Sequence, residues 1–214
     1  MLFRVSGTTQ NRQGDATRAL LISTAERLFA EQGVDAVSVR AVNATAGLGA
    51  ASVHYHFGSK EQLLRAVIMD LGTAVGLATQ ANIDALAADP APPTPDAVVR
   101  AVTAPYLDLL QRHPIRGMRW VKIVGQTAQA GPADDTIEPH LRESLLPQVR
   151  RAFPAADPDR LEGRWAMSLM GFVYGISRAD EWPGVLASTP ALTAFYEDLV
   201  TFVVGGAVRL LNRW

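Results

Sequence analysis

The 214-residue sequence contains no cysteine. This absence excludes disulfide bonds and thiolate metal sites, and it fits a protein of the reducing cytoplasm. The net charge is only −1, so the sequence also lacks the basic excess that points directly to nucleic-acid binding. Strand signals are scarce, because there is no Asn-Gly turn and little alternation of apolar and polar residues. These absences leave a helical protein as the expectation.

Two further absences concern membranes and catalysis. Residues 1–14 lack the apolar core and the cleavage site of a signal peptide, and we find no apolar run long enough to span a bilayer. There is no P-loop, no dinucleotide-binding glycine pattern and no nucleophile elbow. We therefore expect a cytoplasmic protein that is not an enzyme, with no catalytic residues, no cofactor and no membrane contact.

The histidines do not predict a metal site. The sequence has four of them, and only His54 and His56 are close in sequence. On a helix, residues two positions apart point roughly 200° apart, so these two cannot share one ion. We expect no metal ligands.

The sequence does have helical periodicity between clusters of Pro and Gly. Apolar residues make up 48% and charged residues 19% of a composition typical of globular proteins. The predicted helices cover residues 15–32, 38–46, 50–56, 59–88, 96–112, 115–130, 135–153, 158–179 and 190–212. We expect Pro147 to break or kink its helix. The fold class is all-α, with a small N-terminal three-helix unit joined by a long helix to a larger bundle.

The second and third predicted helices form a helix-turn-helix pattern. Residues 38–46 and 50–56 are separated by Gly47-Leu48-Gly49, and a short glycine-containing turn between two helices is the signature of this motif. The second helix of such a pair enters the major groove of DNA. Spacing alone leaves an ordinary helical corner as the alternative.

The wider pattern resembles the N-terminal domain of the tetracycline-repressor (TetR) family. The matching residues are Ala25-x-x-Leu28-Phe29-x-x-x-Gly33, Ser38-Val39, Ala46-Gly47-Leu48 and Tyr55-His56-Phe57-x-Ser59-Lys60-Glu61-x-Leu63-Leu64. The resemblance implies a dimeric transcription regulator whose C-terminal helical domain binds small molecules. It divides the chain into a flexible N-terminal arm (1–14), a helix-turn-helix DNA-binding domain (15–62) and a ligand-binding and dimerisation domain (63–214).

Three residues depart from the family pattern. The family usually has Ser or Thr at the position of Gly49, where it caps the recognition helix, and Gly is a weaker cap. It usually has Ala at the position of Asn43 and often has Tyr at that of His54. We expect Asn43 and His54 to alter the DNA-facing surface.

The resemblance and the side-chain chemistry together predict the DNA contacts. Ser38, Tyr55 and Lys60 are expected to contact phosphates, although Tyr55 has packing as an alternative. Arg40 can reach a phosphate or a base edge. The short side chains that lead the recognition helix predict modest direct readout, so Arg40, His54 and DNA shape are expected to carry much of the specificity. The full predicted set is Ser38, Arg40, Ala50, Ala51, Ser52, His54, Tyr55, His56 and Lys60.

The arginines of the N-terminal segment allow two interpretations of its role. Arg4, Arg12 and Arg18 can form an arm that enters the minor groove. A solvated segment without DNA contact is the alternative.

The C-terminal part is rich in aromatic residues and methionines, which suit an apolar ligand pocket but are also typical of a core. The candidate pocket residues are Tyr106, Met118, Trp120, Trp165, Met170, Phe172 and Tyr174. The cations interleaved with them in the segment 115–130 can face inward, towards an acidic ligand, or outward. We expect a largely apolar effector.

The last two predicted helices, 158–179 and 190–212, carry apolar residues around much of their circumference. We expect a homodimer through these helices, with a single core that buries them as the alternative. A twofold dimer requires a near-palindromic operator on double-stranded DNA. The predicted function is a DNA-binding transcriptional regulator, most simply a repressor released by a small molecule. The alternative is a helical ligand-binding or adaptor protein that has lost specific DNA binding.

Overall fold

A computed structural model of the protein describes residues 7–130 and 139–212, with side chains described for 12–128 and 140–212. Within these ranges all long elements are α-helices. They are α1 (Gly7–Gln32), α2 (Val39–Thr45), α3 (Ser52–Phe57), α4 (Lys60–Ala88), α5 (Pro95–Arg112), α6 (Pro114–Ala130), α7 (Pro139–Ala152), α8 (Pro158–Ser177) and α9 (Thr189–Leu211). Two short 3₁₀ turns lie between α8 and α9. The all-α prediction is confirmed.

The chain forms two compact units, Met1–Asp70 and Leu71–Trp214. The boundary lies inside α4, whereas the sequence placed it after residue 62. It also places the first residues of α4 in the N-terminal unit, where Leu63 and Val67 are buried. The helix is continuous across the boundary, which explains why no loop signal marks it.

The N-terminal unit begins earlier than predicted. Helix α1 starts at Gly7, so the prediction of a flexible arm over 1–14 is wrong for residues 7–14. No proline interrupts residues 7–14, so the helix can extend through them. The buried side of α1 carries Leu21, Ala25, Leu28 and Phe29, whereas Leu20 is 43% exposed.

Capping residues set the short helices of this unit. The Ser38 hydroxyl accepts a hydrogen bond of 3.1 Å from the Ala41 N–H and starts α2. Gly47 ends the following turn with a φ of 68° and Gly58 follows α3 with a φ of 81°, both in the region that favours glycine. Helix α3 begins at Ser52 rather than at the predicted residue 50, so Ala50 and Ala51 lie in the preceding turn.

The C-terminal unit is a helical bundle with one apolar core. Helix α9 packs against α5 and α8, and α6 packs against α5 and α8. A stripe of residues from α9 enters the core, namely Leu192, Tyr196, Val200, Val203, Ala207 and Leu211. The Arg100 guanidinium of α5 donates to both carboxylate oxygens of Glu197 on α9, at 2.8 and 2.7 Å. This bidentate pair fixes the register of the two helices.

Helix α7 is unbroken from Pro139 to Ala152, so a break at Pro147, one of the two predicted outcomes, does not occur. A proline leaves the carbonyl four residues earlier without its helical donor. Here Pro147 and Glu143 both lie on the exposed side of the helix, where water can bond that carbonyl. The predicted start of this helix at residue 135 lies outside the described residues.

Two helices contradict the expectation that no segment is long enough for a bilayer. Both α4 (Lys60–Ala88) and α9 (Thr189–Leu211) are long and apolar enough to cross a membrane by length and composition. Helices of a soluble core pass the same test, and α9 contributes six residues to the core described above. The finding is weak evidence for a membrane segment, because it rests on length and composition alone.

Candidate nucleic-acid interface and ligand site

The helix-turn-helix is held together by one buried amide. The Asn43 side chain is 1% exposed. Its Nδ2 donates to the Ala50 carbonyl at 2.7 Å, and its Oδ1 accepts from the Val53 N–H at 3.1 Å. Asn43 therefore lies beneath the DNA-facing surface, and the expectation that it alters this surface stays a prediction. Asn43 links α2 to the start of α3 from the inner side of the motif.

Several predicted DNA contacts lie on the open side of this motif. Arg40 is exposed and has no ion-pair or hydrogen-bond partner within the described residues. Tyr55 is 86% exposed, which excludes the packing alternative within this chain. Ala50 and Ala51 are also exposed. A free guanidinium and a free phenol near short side chains are suited to a polyanionic duplex.

Other residues predicted to contact DNA already make hydrogen bonds within the protein. The Ser38 hydroxyl caps α2, as described above, and keeps its own proton for a further acceptor. The Lys60 ammonium is half-buried and donates to the Asp35 carbonyl at 3.3 Å. A lysine has three N–H donors, so this bond leaves two. Ser52 is half-buried in the first turn of α3.

The two histidines occupy different environments. His54 is exposed, and its Nδ1 lies 2.8 Å from the Gly58 carbonyl. Since a carbonyl oxygen accepts, Nδ1 carries the proton, and Nε2 remains for another partner. His56 is half-buried, with its ring edge-on to Tyr55 at 5.0 Å between centroids. His54 therefore closes the C-terminal end of α3, while His56 supports the exposed tyrosine.

The predicted arginine arm is only partly described. Arg4 lies outside the described residues, and Arg12 is exposed on α1. The Arg18 guanidinium lies over the ring of Phe57, 5.1 Å from its centroid. A cation–π contact of this kind ties Arg18 to α3, so Arg18 belongs to the folded unit rather than to an arm.

The aromatic residues of the C-terminal unit form a connected cluster. The Tyr106 ring lies 5.7 Å from Trp120 and 5.6 Å from Phe172 between centroids. Phe172 in turn contacts Tyr196 at 6.1 Å. Burial raises the pKa of Tyr106 to about 12, so its hydroxyl stays protonated well above neutral pH, as a tyrosine already is at pH 7, and can donate to a ligand. Trp120 and Phe172 are 4% and 1% exposed, and Met118 is 6% exposed.

Three of the predicted pocket residues lie elsewhere. Met170 and Tyr174 are 47% and 52% exposed, because they face away from the buried side of α8 that carries Phe172. They do not line an interior pocket. Trp165 is buried, but its ring pairs with Phe153 at 6.4 Å, and its Nε1 has no hydrogen-bond partner. Among the interleaved cations, Lys122 bonds the Asp180 carboxylate at 2.5 Å.

Sequence reasoning missed two residues of these sites. Asn43 stands out in the sequence only as a departure from a family pattern, because its partners, seven and ten residues later, lie outside the local patterns in which an asparagine bonds the backbone. Tyr196 was not singled out. Its buried hydroxyl pairs with the Thr103 hydroxyl at 3.0 Å, and its ring extends the aromatic cluster to α9. No sequence signal separates it from the other apolar residues of that helix.

Short helices joined by a tight turn, with exposed cationic and phenolic side chains, define a helix-turn-helix DNA-binding protein. Comparison with known proteins specifies the class. Residues 21–67 match the model of bacterial regulatory proteins of the tetR family. Residues 100–206 match the model of the tetracycline repressor-like C-terminal domain. The chain belongs to the tetR family, and it is a DNA-binding transcriptional regulator.

Similar proteins agree with this assignment. The HTH-type transcriptional regulator BetI of Rhizobium meliloti (strain 1021) is 32% identical over 187 residues, which cover 86% of this chain and 87% of that protein. NalD, the secondary repressor of the MexAB-OprM multidrug efflux pump in Pseudomonas aeruginosa, superposes with a TM-score of 0.54 at 18% identity, covering 95% of this chain and 100% of that one. A tetR-family regulator from Shewanella sp. PV-4 has a TM-score of 0.53 at 15% identity, covering 86% and 96%. At these identities the two structures support the fold.

Proposed function

We propose that the protein is a homodimeric repressor of the cytoplasm that binds a near-palindromic operator and is released by a largely apolar small molecule. The observation that carries DNA binding is the exposed pair Arg40 and Tyr55 on the helix-turn-helix. Ser38, Lys60 and the Nε2 atom of His54 add donors and acceptors on the same motif. Ala50, Ala51, Ser52 and His56 complete the proposed contact surface.

The aromatic cluster supports the ligand half of this proposal. Tyr106, Met118, Trp120 and Phe172 are apolar neighbours with one protonated phenol among them, which suits an apolar ligand that carries a hydrogen-bond acceptor. A ligand that separates these rings changes the packing of α5, α6 and α8. Its differential affinity for the two arrangements is what would shift DNA affinity.

An exposed apolar surface supports the dimer. We call it the α8/α9 surface, and it consists of Met167, Met170, Gly171, Tyr174 and Phe202. Met167 and Phe202 are 61% and 70% exposed, and a Cβ added at Gly171 would lie 3.5 Å from the Phe202 ring, so the two helices share one face. Contiguous apolar side chains of this size on a surface indicate a binding interface. A second copy of the chain is the proposed partner.

Duplex selection from a random library tests the DNA proposal. The full chain is expected to enrich one near-palindromic sequence, with half-sites about one helical turn apart. Affinity for that duplex is then measured while a library of small apolar compounds is titrated. Enrichment of no sequence at low salt, where phosphate contacts are strongest, would favour the adaptor alternative. Equal affinity with and without a compound bound to the aromatic cluster would refute ligand-controlled release.

A further inference from the structure

The recognition helix α3 has little to hold it in place by itself. It has six residues, and helices this short are unstable alone because nucleation is costly. Its N-cap residue, Ala51, makes no side-chain hydrogen bond, and Gly49 has no side chain to offer. The first turn of a helix leaves N–H groups that need acceptors. The orientation of α3 therefore depends on contacts from other elements.

Asn43 supplies the missing contact from α2. Its Oδ1 accepts the Val53 N–H in the first turn of α3, and its Nδ2 holds the Ala50 carbonyl in the turn before it. One planar amide thus bonds a group on each side of the helix start. Val53 itself is fully buried, so the side chain fixes the depth of α3 and the amide fixes its first turn. Because the Asn43 side chain is 1% exposed, neither atom of its amide is open to DNA.

We propose that Asn43 is a positioning residue for DNA recognition. From α2 it caps the first turn of α3, and it thereby sets how precisely the residues of α3 and the turn before it meet the bases of the operator. This inference rests on the proposed DNA-binding function. It assigns to a buried amide the control of how Ala50, Ala51, Ser52, His54 and Tyr55 meet the duplex.

A positioning role and a merely stabilising role have different consequences. Without the Asn43 amide, α3 is free to tilt or fray, and contacts that need exact placement on bases weaken. Contacts with phosphates are less demanding, since they depend mainly on charge, and Arg40 and Lys60 lie outside α3. A positioning residue therefore changes the ratio of specific to non-specific affinity. A stabilising residue lowers the fraction of folded protein and leaves that ratio unchanged.

The test compares four full-length proteins with the wild type, namely Asn43→Ala, Gly49→Ser, the double variant and Asn82→Ala. Gly49 lacks a positive φ, and a Cβ there would lie 4.0 Å from its nearest neighbour, the Ser52 hydroxyl. A serine at 49 therefore fits, and its hydroxyl can accept from the N–H groups of residues 51 and 52, whereas the Val53 N–H lies beyond its reach. Asn82→Ala is the matched control, because Asn82 also bonds a carbonyl, that of Ala101 at 3.1 Å, but lies in the C-terminal unit.

Affinity is measured for the duplex that the wild type selects and for a scrambled duplex, at a temperature well below unfolding. Asn43→Ala is expected to lose about tenfold in specific affinity, the scale of one buried backbone group left without a partner. Its affinity for the scrambled duplex should stay within about twofold. Gly49→Ser should not restore the loss in the double variant, because its hydroxyl cannot replace the bond to the Val53 N–H, and Asn82→Ala should leave the ratio unchanged.

Each outcome bears on the inference. An unchanged ratio in Asn43→Ala, with a lower thermal midpoint, would show that Asn43 only stabilises the unit. Parallel loss of both affinities, or full restoration of the ratio by Gly49→Ser, would also overturn the positioning role. If the wild type selects no duplex at all, the proposed function itself fails, and this inference fails with it. If the wild type does enrich a duplex and Asn43→Ala leaves the ratio of specific to non-specific affinity unchanged, only the positioning role of Asn43 fails and the proposed function stands.

Discussion

At the scale of single residues, Arg40 has the side chain best suited to reach a base edge. It is exposed, it lies in the first turn of α2, and it has no partner within the described residues. Arg40→Ala is expected to lower specific affinity by about 1–3 kcal/mol and to relax the selected sequence at one position of each half-site, because a bidentate contact to guanine contributes on that scale. Duplex selection with the variant measures this.

The control for Arg40 is Arg27→Ala. Arg27 is in the same unit but pairs with Glu31 on α1 at 3.3 Å, so its removal should not change the selected sequence. If Arg40→Ala weakens all duplexes equally and lowers the salt dependence by about one phosphate contact, Arg40 binds phosphate. An unchanged selected sequence would refute its part in specificity.

Glu197 gives a second residue-scale prediction, this one on stability. Hydrogen bonds from Arg100 lower the pKa of this carboxyl. Its ion pair therefore stabilises the fold above the pKa of the unfolded chain, and the stabilisation is lost as the pH falls through the lower folded pKa. Glu197→Gln should lower the free energy of unfolding at pH 7 by up to about 1 kcal/mol, the scale of an exposed ion pair.

Urea unfolding measures the free energy of unfolding of the variant and the wild type at pH 7 and at about pH 3. The second value lies below the ordinary glutamate pKa. Tryptophan emission is a suitable signal, since all four tryptophans lie in the C-terminal unit. The difference between Glu197→Gln and wild type should shrink at the lower pH. Asp108→Asn is the control. The Arg112–Asp108 pair at 2.9 Å joins two residues of one helix, so this variant removes a paired carboxylate without separating two helices. A difference that does not depend on pH would contradict the ion-pair explanation.

At the scale of elements, the aromatic cluster contacts α4, the helix that runs from one unit into the other. A Cβ at Gly72 would lie 3.1 Å from Cζ2 of Trp120, whereas a Cβ at Gly76, one turn later, would meet nothing within 4 Å. Both substitutions to alanine favour helix by up to about 1 kcal/mol. Only Gly72→Ala forces the Trp120 indole to move, and Trp120 packs on Tyr106.

We therefore expect Gly76→Ala to raise the thermal midpoint without changing tryptophan emission. Gly72→Ala should shift the emission and lose most of that stabilisation. It should also change the response of DNA binding to any compound bound at the aromatic cluster, since Trp120 joins the cluster to α4. Identical behaviour of the two variants would show that the Gly72–Trp120 contact carries no coupling.

Element boundaries show where sequence patterns were sufficient. Helices α2, α5, α6, α8 and α9 begin and end within one to three residues of their predicted bounds, because capping residues and Pro or Gly mark those ends. Helix α3 begins two residues late and α1 eight residues early. At α3 the N-cap residue, Ala51, makes no side-chain hydrogen bond, so local chemistry leaves that boundary to packing.

At the scale of the whole molecule, the α8/α9 surface carries the prediction of dimerisation. Phe202→Glu places a charge in this apolar face, and an unpaired buried charge strongly disfavours an interface. The variant is expected to sediment as a monomer and to lose affinity for the selected duplex, because two linked reading heads bind one operator far more tightly than one.

Ile115→Glu is the matched control for Phe202. Ile115 is also 70% exposed and lies in the same unit on α6, so its substitution tests the effect of an added surface charge alone. It should leave the dimer intact. If both variants remain dimeric, the α8/α9 surface is not the interface, and if both dissociate, the effect of charge is not specific to that surface.

The sequence alone determined the fold class, the helix order and the family, because these depend on periodicity, caps and a local motif spread over adjacent helices. It also located Arg40 and Tyr55 on the helix-turn-helix. Only the tertiary structure decided which side of a helix each residue faces when apolar residues cover most of it. Met170 and Tyr174 face outward and Phe172 inward on the same helix. It likewise decided that Asn43 points into the turn, since an amide finds its backbone partners only after two helices have packed together.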